Sequence, residues 1–213
     1  MPDGSTRLAC ERMPDPLDGA ALRARLAAAH VALIGCGGLG SNAAAMLVRA
    51  GVGALTLIDF DVIEESNLNR QMFFRDQLGR PKIDALAETL LRINPDVELH
   101  LVRECMTEEN LLLTVEDSDV VIEAVDRAEV KAMVAEVMLT GAPDVPLVSA
   151  SGLAGFDSAN EVVTERLGAN FYLVGDCRSD VRAGLPLFAS RVMVAAAHQA
   201  HAAIRILLGY SEP

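Results

Sequence analysis

Apolar positions along the chain follow two alternating periods. Charge-free or nearly charge-free runs stand at 31–34 (VALI), 54–58 (ALTLI), 119–124 (DVVIEA) and 146–150 (PLVSA). Runs of this length and composition read as strands buried on both faces, the pattern of a parallel sheet. Val97 to Val102 alternates apolar and polar residues and reads as a further strand. Helical runs separate them. Leu22 and Leu26 lie four apart within 17–30, and an alanine-rich run covers Ala43 to Ala50. Ile83, Leu86, Leu90 and Ile93 follow Pro81 on one face until Asn94-Pro95 stops the helix. Thr107 caps a short helix through Leu113, Arg127 to Leu139 is helical, and Ser190 to Leu208 carries Val192, Ala196, Ala203 and Ile206 on one side. Strand and helix in alternation predict an α/β, Rossmann-like fold: a mostly parallel sheet with helices on both faces. The 31–34 and 54–58 strands, joined through a helix, should be parallel neighbours. Past residue 150 the period changes. Short strands at 161–164 and 170–174, separated by Gly168, predict an antiparallel extension at the C-terminal end, followed by a polar loop at 175–186.

Residues 1–16 are polar and punctuated by Pro2, Pro14 and Pro16, the composition of a flexible arm, and 17–213 should form a single nucleotide-binding domain. Hydrophobic residues make up 51% of the chain but aromatics only 4%, without a Trp, so the core should be aliphatic. No apolar run nears the roughly 20 residues of a membrane span. The first residues lack the apolar segment of a signal peptide, which predicts a cytoplasmic protein. A net charge of −12 argues against binding to nucleic acid or anionic membrane. Cys10, Cys36, Cys105 and Cys177 form no C-x-x-C pair, so no structural zinc is expected. His198 and His201 are three apart on a helix, but no third ligand accompanies them.

The chemistry gathers where strands end. Gly35, Gly37 and Gly40, with an extra Gly38, form G-x-G-x-x-G between a strand and a helix, with Ser41 at the helix start. Glycines permit a tight turn and the close approach of a phosphate, which the helix N-terminus favours. Asp59 follows Gly40 by nineteen residues at the end of the next strand, placed to accept from ribose hydroxyls, with Asp61 beside it. The long connection at 60–79 holds Asn67, Asn69, Arg70 and Gln71, and then Arg75, Arg80 and Lys82 follow. A connection of this length should be functional or carry short helical turns. Arg70 and Lys82 are candidates for phosphate oxygens, whereas Arg75 and Arg80 read equally well as a solvated face. Asp126, just past a strand, suits a hard cation such as Mg²⁺ held jointly with phosphate oxygens. The set points to a nucleoside triphosphate rather than a dinucleotide.

IGCGGLGSN, LIDFDVIEESNLNRQ, Pro81-Lys82, RINPDVEL and VVIEAVD, in this order, resemble the ThiF/MoeB/ubiquitin-activating family of adenylyltransferases over about residues 30–210. The likeness is greatest to short ThiF-type proteins that adenylate a ThiS-like sulfur carrier. The resemblance implies that the loop of Gly35, Gly37, Gly38, Gly40 and Ser41 cradles ATP and that Asp59, with Asp61 nearby, binds the ribose. It implies that Asn67, Arg70 and Lys82 contact the nucleotide, that Asp126 binds Mg²⁺, and that Arg70, Lys82 and Asp126 carry the catalysis. The implied partner is a small ubiquitin-like protein ending in Gly-Gly, the implied pathway thiamine (thiazole) biosynthesis, and the implied assembly a homodimer. Alternatives are a family member that binds nucleotide or carrier without turnover and, favoured by the glycines alone, an NAD-dependent oxidoreductase. The chain departs from the family in three ways. It lacks the zinc-binding cysteine pairs, Arg7 and Arg12 do not align with the family's N-terminal arginine, and Cys177 is not at the family's offset from Gly184.

Overall fold

The computed structural model describes residues 19–179 and 184–212. The predicted arm at 1–16 lies outside the described residues. In chain order the elements are α1 (Gly19–Ala27), β1 (His30–Ile34), α2 (Gly38–Ala50), β2 (Ala54–Ile58), α3 (Lys82–Ile93), β3 (Glu98–Val102), α4 (Leu111–Val115), β4 (Val120–Glu123), α5 (Ala128–Gly141), β5 (Leu147–Ala150), β6 (Val163–Arg166), β7 (Phe171–Gly175) and α6 (Ala189–Leu207). The connection at 60–79 contains two short 3₁₀ turns, Glu65–Asn67 and Arg75–Gln77.

The seven strands form one sheet in the order β3-β2-β1-β4-β5-β7-β6. The charge-free runs become its centre because a strand side chain points to alternate faces, and both faces are covered. Val31 and Leu33 enter a core beneath α2, α3 and α6, while Ala32 and Ile34 enter a second core beneath α4 and α5. β4 repeats the alternation, with Val120 and Ile122 in the first core and Val121 in the second. The chain runs outward from β1 through β2 to β3, then returns to β4 on the other side of β1. This reversal opens a crevice at the carboxyl ends of β1 and β4, where ligands bind in open α/β sheets.

Four local expectations are corrected. α2 begins at Gly38, five residues before the alanine-rich run, so half of the glycine motif is helical. The first helix ends at Ala27, and His30 already belongs to β1. Thr107 does cap, its Oγ1 accepting from the Asn110 N–H at 3.4 Å, but α4 itself starts only at Leu111 and runs to Val115 rather than Leu113. Of the two C-terminal strands, only β6 is antiparallel; β7 runs parallel to β5. Composition explains the order: VTER is largely exposed and takes the edge, whereas Tyr172 and Val174 of β7 are buried and take the inner place.

Candidate functional site

The crevice holds a cavity of about 650 Å³ whose wall brings together Gly35, Gly37, Gly38, Asp59, Asp61, Arg70, Lys82 and Asp126. The glycine turn is built by close backbone approach. Gly35 has φ +96°, and a Cβ there would stand 2.8 Å from the carbonyl oxygen of Ala124 at the end of β4. A Cβ on Gly40 would stand 1.8 Å from the Gly35 carbonyl oxygen, so β1 and α2 meet at this spacing only with glycine. Gly37 is the N-cap of α2 and supplies no side-chain cap, leaving the positive end of a 13-residue helix facing the crevice.

Asp59, at the end of β2, braces this turn. Its Oδ2 accepts from the Cys36 N–H at 2.7 Å, and its Oδ1 accepts from the Asp61 N–H at 2.9 Å. Lys82, the first residue of α3, donates from Nζ to Asp61 Oδ2 at 2.7 Å and lies 4.0 Å from Asp59 Oδ2. The Lys82 and Asp59 side chains are each 8% exposed, and that of Asp61 is 49% exposed. The two carboxylates hold this buried side chain at the wall. Burial, followed by the Asp59 charge, pushes the Cys36 thiol well above its usual range, so this cysteine is inert. Arg70 donates to the Ser66 carbonyl at 3.0 Å and to Asn69 Oδ1 at 2.8 Å. Asn42 ties the Arg70 carbonyl at 3.0 Å to the Gly38 carbonyl at 2.7 Å, fixing the long connection to α2.

Gly40, Ser41 and Asn67 lie off the cavity wall. The buried Ser41 hydroxyl donates to the Gly37 carbonyl at 2.6 Å and accepts from the Met72 N–H at 3.0 Å. Asn67 Oδ1 accepts from the Glu64 N–H at 3.0 Å and closes the first 3₁₀ turn. Arg75 and Arg80 also lie off the wall, in exposed pairs with Glu65 at 3.2 Å and Glu88 at 2.9 Å, which makes them a solvated face. Arg7 and Arg12 lie outside the described residues.

Asp126 sits in the turn between β4 and α5, exposed to the cavity, its carboxylate without a partner among the described residues. Also among the described residues, no three His, Cys, Asp or Glu side chains gather to hold a metal alone. One free carboxylate facing this crevice fits Mg²⁺ bound jointly with nucleotide phosphates, the usual arrangement for that ion. His198 instead shares a hydrogen bond with Thr164 Oγ1 at 2.9 Å, and burial, reinforced by His201, lowers its pKa and favours the neutral ring.

Sequence reasoning gave no site role to several residues on the wall or behind it. Gln71 lies beside Gly37, and its Oε1 is buried without a partner among the described residues. Glu123 is a fully buried carboxylate in an otherwise apolar strand, and that isolated charge was the available signal. It accepts from Lys131 Nζ at 2.8 and 3.0 Å. The loop after β7 also reaches the wall through Cys177, Arg178 and Ser179. Asp176 anchors it: its Oδ2 pairs with Arg191 of α6 at 2.5 Å, and its Oδ1 accepts from the Arg178 and Ser179 N–H groups, both at 2.8 Å. Burial by itself would raise the Asp176 carboxyl, but these N–H donors and the guanidinium outweigh it and bring the pKa to about 2. Held this way, Cys177 takes a left-handed φ of 55°. Its thiol is raised by burial, then by Glu165 and Asp176, while Arg178 turns away to Glu161 at 2.8 Å.

Comparison with known proteins agrees with this geometry. Residues 11–213 match the model of the ThiF family. The chain is 33% identical over 191 residues to the molybdopterin-synthase adenylyltransferase of Escherichia coli, covering 86% of this chain and 75% of that protein. It is 43% identical over 131 residues to the bovine adenylyltransferase and sulfurtransferase MOCS3, covering 61% of this chain and 28% of that longer protein. The crystal structure of the E. coli tRNA N6-threonylcarbamoyladenosine dehydratase TcdA in complex with ATP shares the fold, with a TM-score of 0.81, 24% identity and 90% of each chain covered.

Proposed function

The chain belongs to the ThiF family, and from that premise we propose that it is an ATP-dependent nucleotidyltransferase acting on the C-terminal glycine carboxylate of a small ubiquitin-like carrier protein. We assign the carrier to the ThiS type, the pathway to thiazole formation in thiamine biosynthesis, and the working form to a homodimer. The observation that carries the reading is the convergence of the glycine turn, Asp59, Arg70, Lys82 and Asp126 on one cavity.

ATP enters with its phosphates at the turn of Gly35, Gly37 and Gly38 and its ribose hydroxyls donating to Asp59. Asp59 reaches the ribose while keeping its backbone donors, since an ionised carboxylate accepts about four hydrogen bonds. Gln71 offers a further acceptor beside the turn. Gly40 and Ser41 act one step back, holding that turn in shape, and Asn67 shapes the segment that presents Arg70. Bound with the nucleotide at Asp126, Mg²⁺ would supply charge neutralisation on the phosphates. An oxygen of the carrier carboxylate attacks the α-phosphorus, and the bond from that phosphorus to the bridging oxygen breaks. Pyrophosphate departs with the electron pair, leaving the acyl-adenylate. The attacking carboxylate is already ionised at neutral pH, so no general base is required. Arg70 and Lys82 hold the phosphoryl oxygens and oppose the charge that develops on the leaving group. Lys82 does so from a fixed place, because Asp61 and Asp59 hold its ammonium at the wall before ATP arrives.

The test is ATP–pyrophosphate exchange with purified protein and a panel of carriers ending in Gly-Gly. Exchange should depend on the carrier, be greatest with the ThiS-type protein, and vanish when its terminal glycine is removed. Exchange with a molybdopterin-type carrier alone would reassign the pathway, and absence of exchange with every carrier would remove the activity.

A further inference from the structure

We propose that Glu123 and Lys131 form a positioning pair that fixes the metal-binding carboxylate of Asp126. The proposal rests on the reading of Asp126 given above and adds residues that do not themselves hold the ion. The free Asp126 side chain stands on a short turn between β4 and α5, so its position depends on what holds that turn. Glu123 holds it from beneath. Its Oε1 accepts from the Val125 N–H at 2.8 Å, folding the chain back immediately before Asp126. Both of its oxygens accept from Lys131 Nζ, one turn into α5, and Oε2 also accepts from the Ser149 hydroxyl of β5. Lys131 Nζ gives its remaining contact to the Ala150 carbonyl at 2.9 Å. An ammonium has three protons, and these three acceptors use all of them. Lys131 therefore reaches the cavity wall with no donor left for a ligand, and its work is done through the elements it joins. The pair ties the end of β4, the first turn of α5 and the end of β5 into one unit around Asp126.

A fully buried carboxylate and a partly buried ammonium are costly to desolvate, and apolar replacements often serve stability equally well. At this site geometry gives the pair its use: the turn carrying Asp126 is braced from below on three elements. Groups of this kind behind a metal ligand typically change metal affinity by about 10–100-fold when removed.

The experiment compares wild type with the double variant Glu123→Gln/Lys131→Met, which removes both charges together and leaves neither buried alone. Mn²⁺ serves as the probe, its affinity read by electron paramagnetic resonance with a non-hydrolysable ATP analogue bound. Analogue affinity without metal and thermal unfolding are measured alongside. The double variant should unfold within a few degrees of wild type and bind the analogue without metal within threefold. Its Mn²⁺ affinity should fall by ~10-fold or more, with exchange activity partly recovered at high metal. Lys131→Arg, which keeps the charge, should restore most of the affinity. If the double variant does not fold, Glu123→Asp carries the test, because it keeps the charge but withdraws the carboxylate from Val125 and Lys131. Its Mn²⁺ affinity should fall at least threefold. Unchanged Mn²⁺ affinity in a folded variant overturns the positioning role, as does an equal loss of metal-free analogue binding, which would show a general support of the cavity. If wild type binds neither analogue nor Mn²⁺, the nucleotide reading itself falls.

Discussion

Lys82 and Asp126 carry opposite charges on the same wall, and the fold treats them differently. Lys82 is buried and already held by Asp59 and Asp61, so substituting it disturbs an ion cluster as well as the proposed ligand contact. Asp126 is exposed and has no partner among the described residues, so its charge can be removed with little structural cost. Asp126→Asn should therefore unfold within a few degrees of wild type, yet lose carrier-dependent exchange by ~100-fold or more, about 2.7 kcal/mol of transition-state stabilisation. Near-normal exchange by the folded variant would take Asp126 out of the site. Cys177 gives the opposite case. It faces the cavity, but its surroundings raise its pKa and so keep the thiol protonated at neutral pH. Adenylation needs no thiol, because the attacking group is the carrier's carboxylate. Cys177→Ser should keep exchange within a few-fold of wild type when the two are assayed side by side; a 100-fold loss in a folded variant that still binds ATP would make the thiol a participant. In the sequence, Asp176 and Arg178 flank Cys177 with opposite charges. Only the folded loop reveals that Arg178 is committed to Glu161 while Asp176 stays near.

At the scale of elements, the site exists because strands and helices end close together. Gly40→Ala would drive a methyl group into the Gly35 carbonyl, a rigid backbone atom. Overpacking of this kind costs about 1–3 kcal/mol and sometimes more, and here it also opens the nucleotide turn. Denaturant unfolding should register the loss, and ATP affinity should fall with it. The loop after β7 depends in a pH-dependent way on the Asp176 carboxylate, held by the Ser179 and Arg178 N–H groups and by Arg191. Its folded pKa of about 2 lies below that of a free carboxyl. The contribution of these donors to the carboxylate is therefore fully present above about pH 5, where the unfolded chain is also ionised, and is lost as pH falls toward 2, in total about 2 kcal/mol. Between those limits wild type should lose about that much more stability than Asp176→Asn in urea titrations; parallel curves would exclude the coupling.

These elements also mark how far the sequence could be read. β1, β2 and the helices between the strands were legible because apolar period and glycine turn are local properties. The convergence of Gly35, Asp59 and Asp126 was legible too, since strand ends in a parallel sheet share one edge. What could not be read was long-range. The exchange of places between β6 and β7 depends on which strand wins the buried position. Lys131 finds Glu123 eight residues away, and Arg191 finds Asp176 fifteen away, only once the sheet and α6 are packed. Ser41 and Asn67 carried a motif's promise of ligand contact, but the backbone around them takes their hydrogen bonds.

For the whole molecule, charge and cavity point to one choice of ligand. The chain has a net charge of −12, yet it places Arg70, Lys82 and the α2 N-terminus around the crevice, a local field suited to phosphates. The glycine motif and Asp59 would serve NAD as well as ATP. In the proposed reading the distinction comes from Lys82 and Asp126, which would face a polyphosphate with its metal and have no counterpart need in a dinucleotide. A ligand that binds only the folded state stabilises it by RT ln(1 + [L]/Kd), about 2.7 kcal/mol at a hundred times Kd. For a domain of this size each kcal/mol raises Tm by roughly 2–4 °C. Mg·ATP at that concentration should therefore raise Tm by roughly 5–10 °C, and NAD at equal concentration should leave it unchanged. Asp126→Asn should keep part of the shift with ATP alone and lose the increment that Mg²⁺ adds. A shift with NAD and none with Mg·ATP would reverse the assignment of the cavity and, with it, the proposed adenylation.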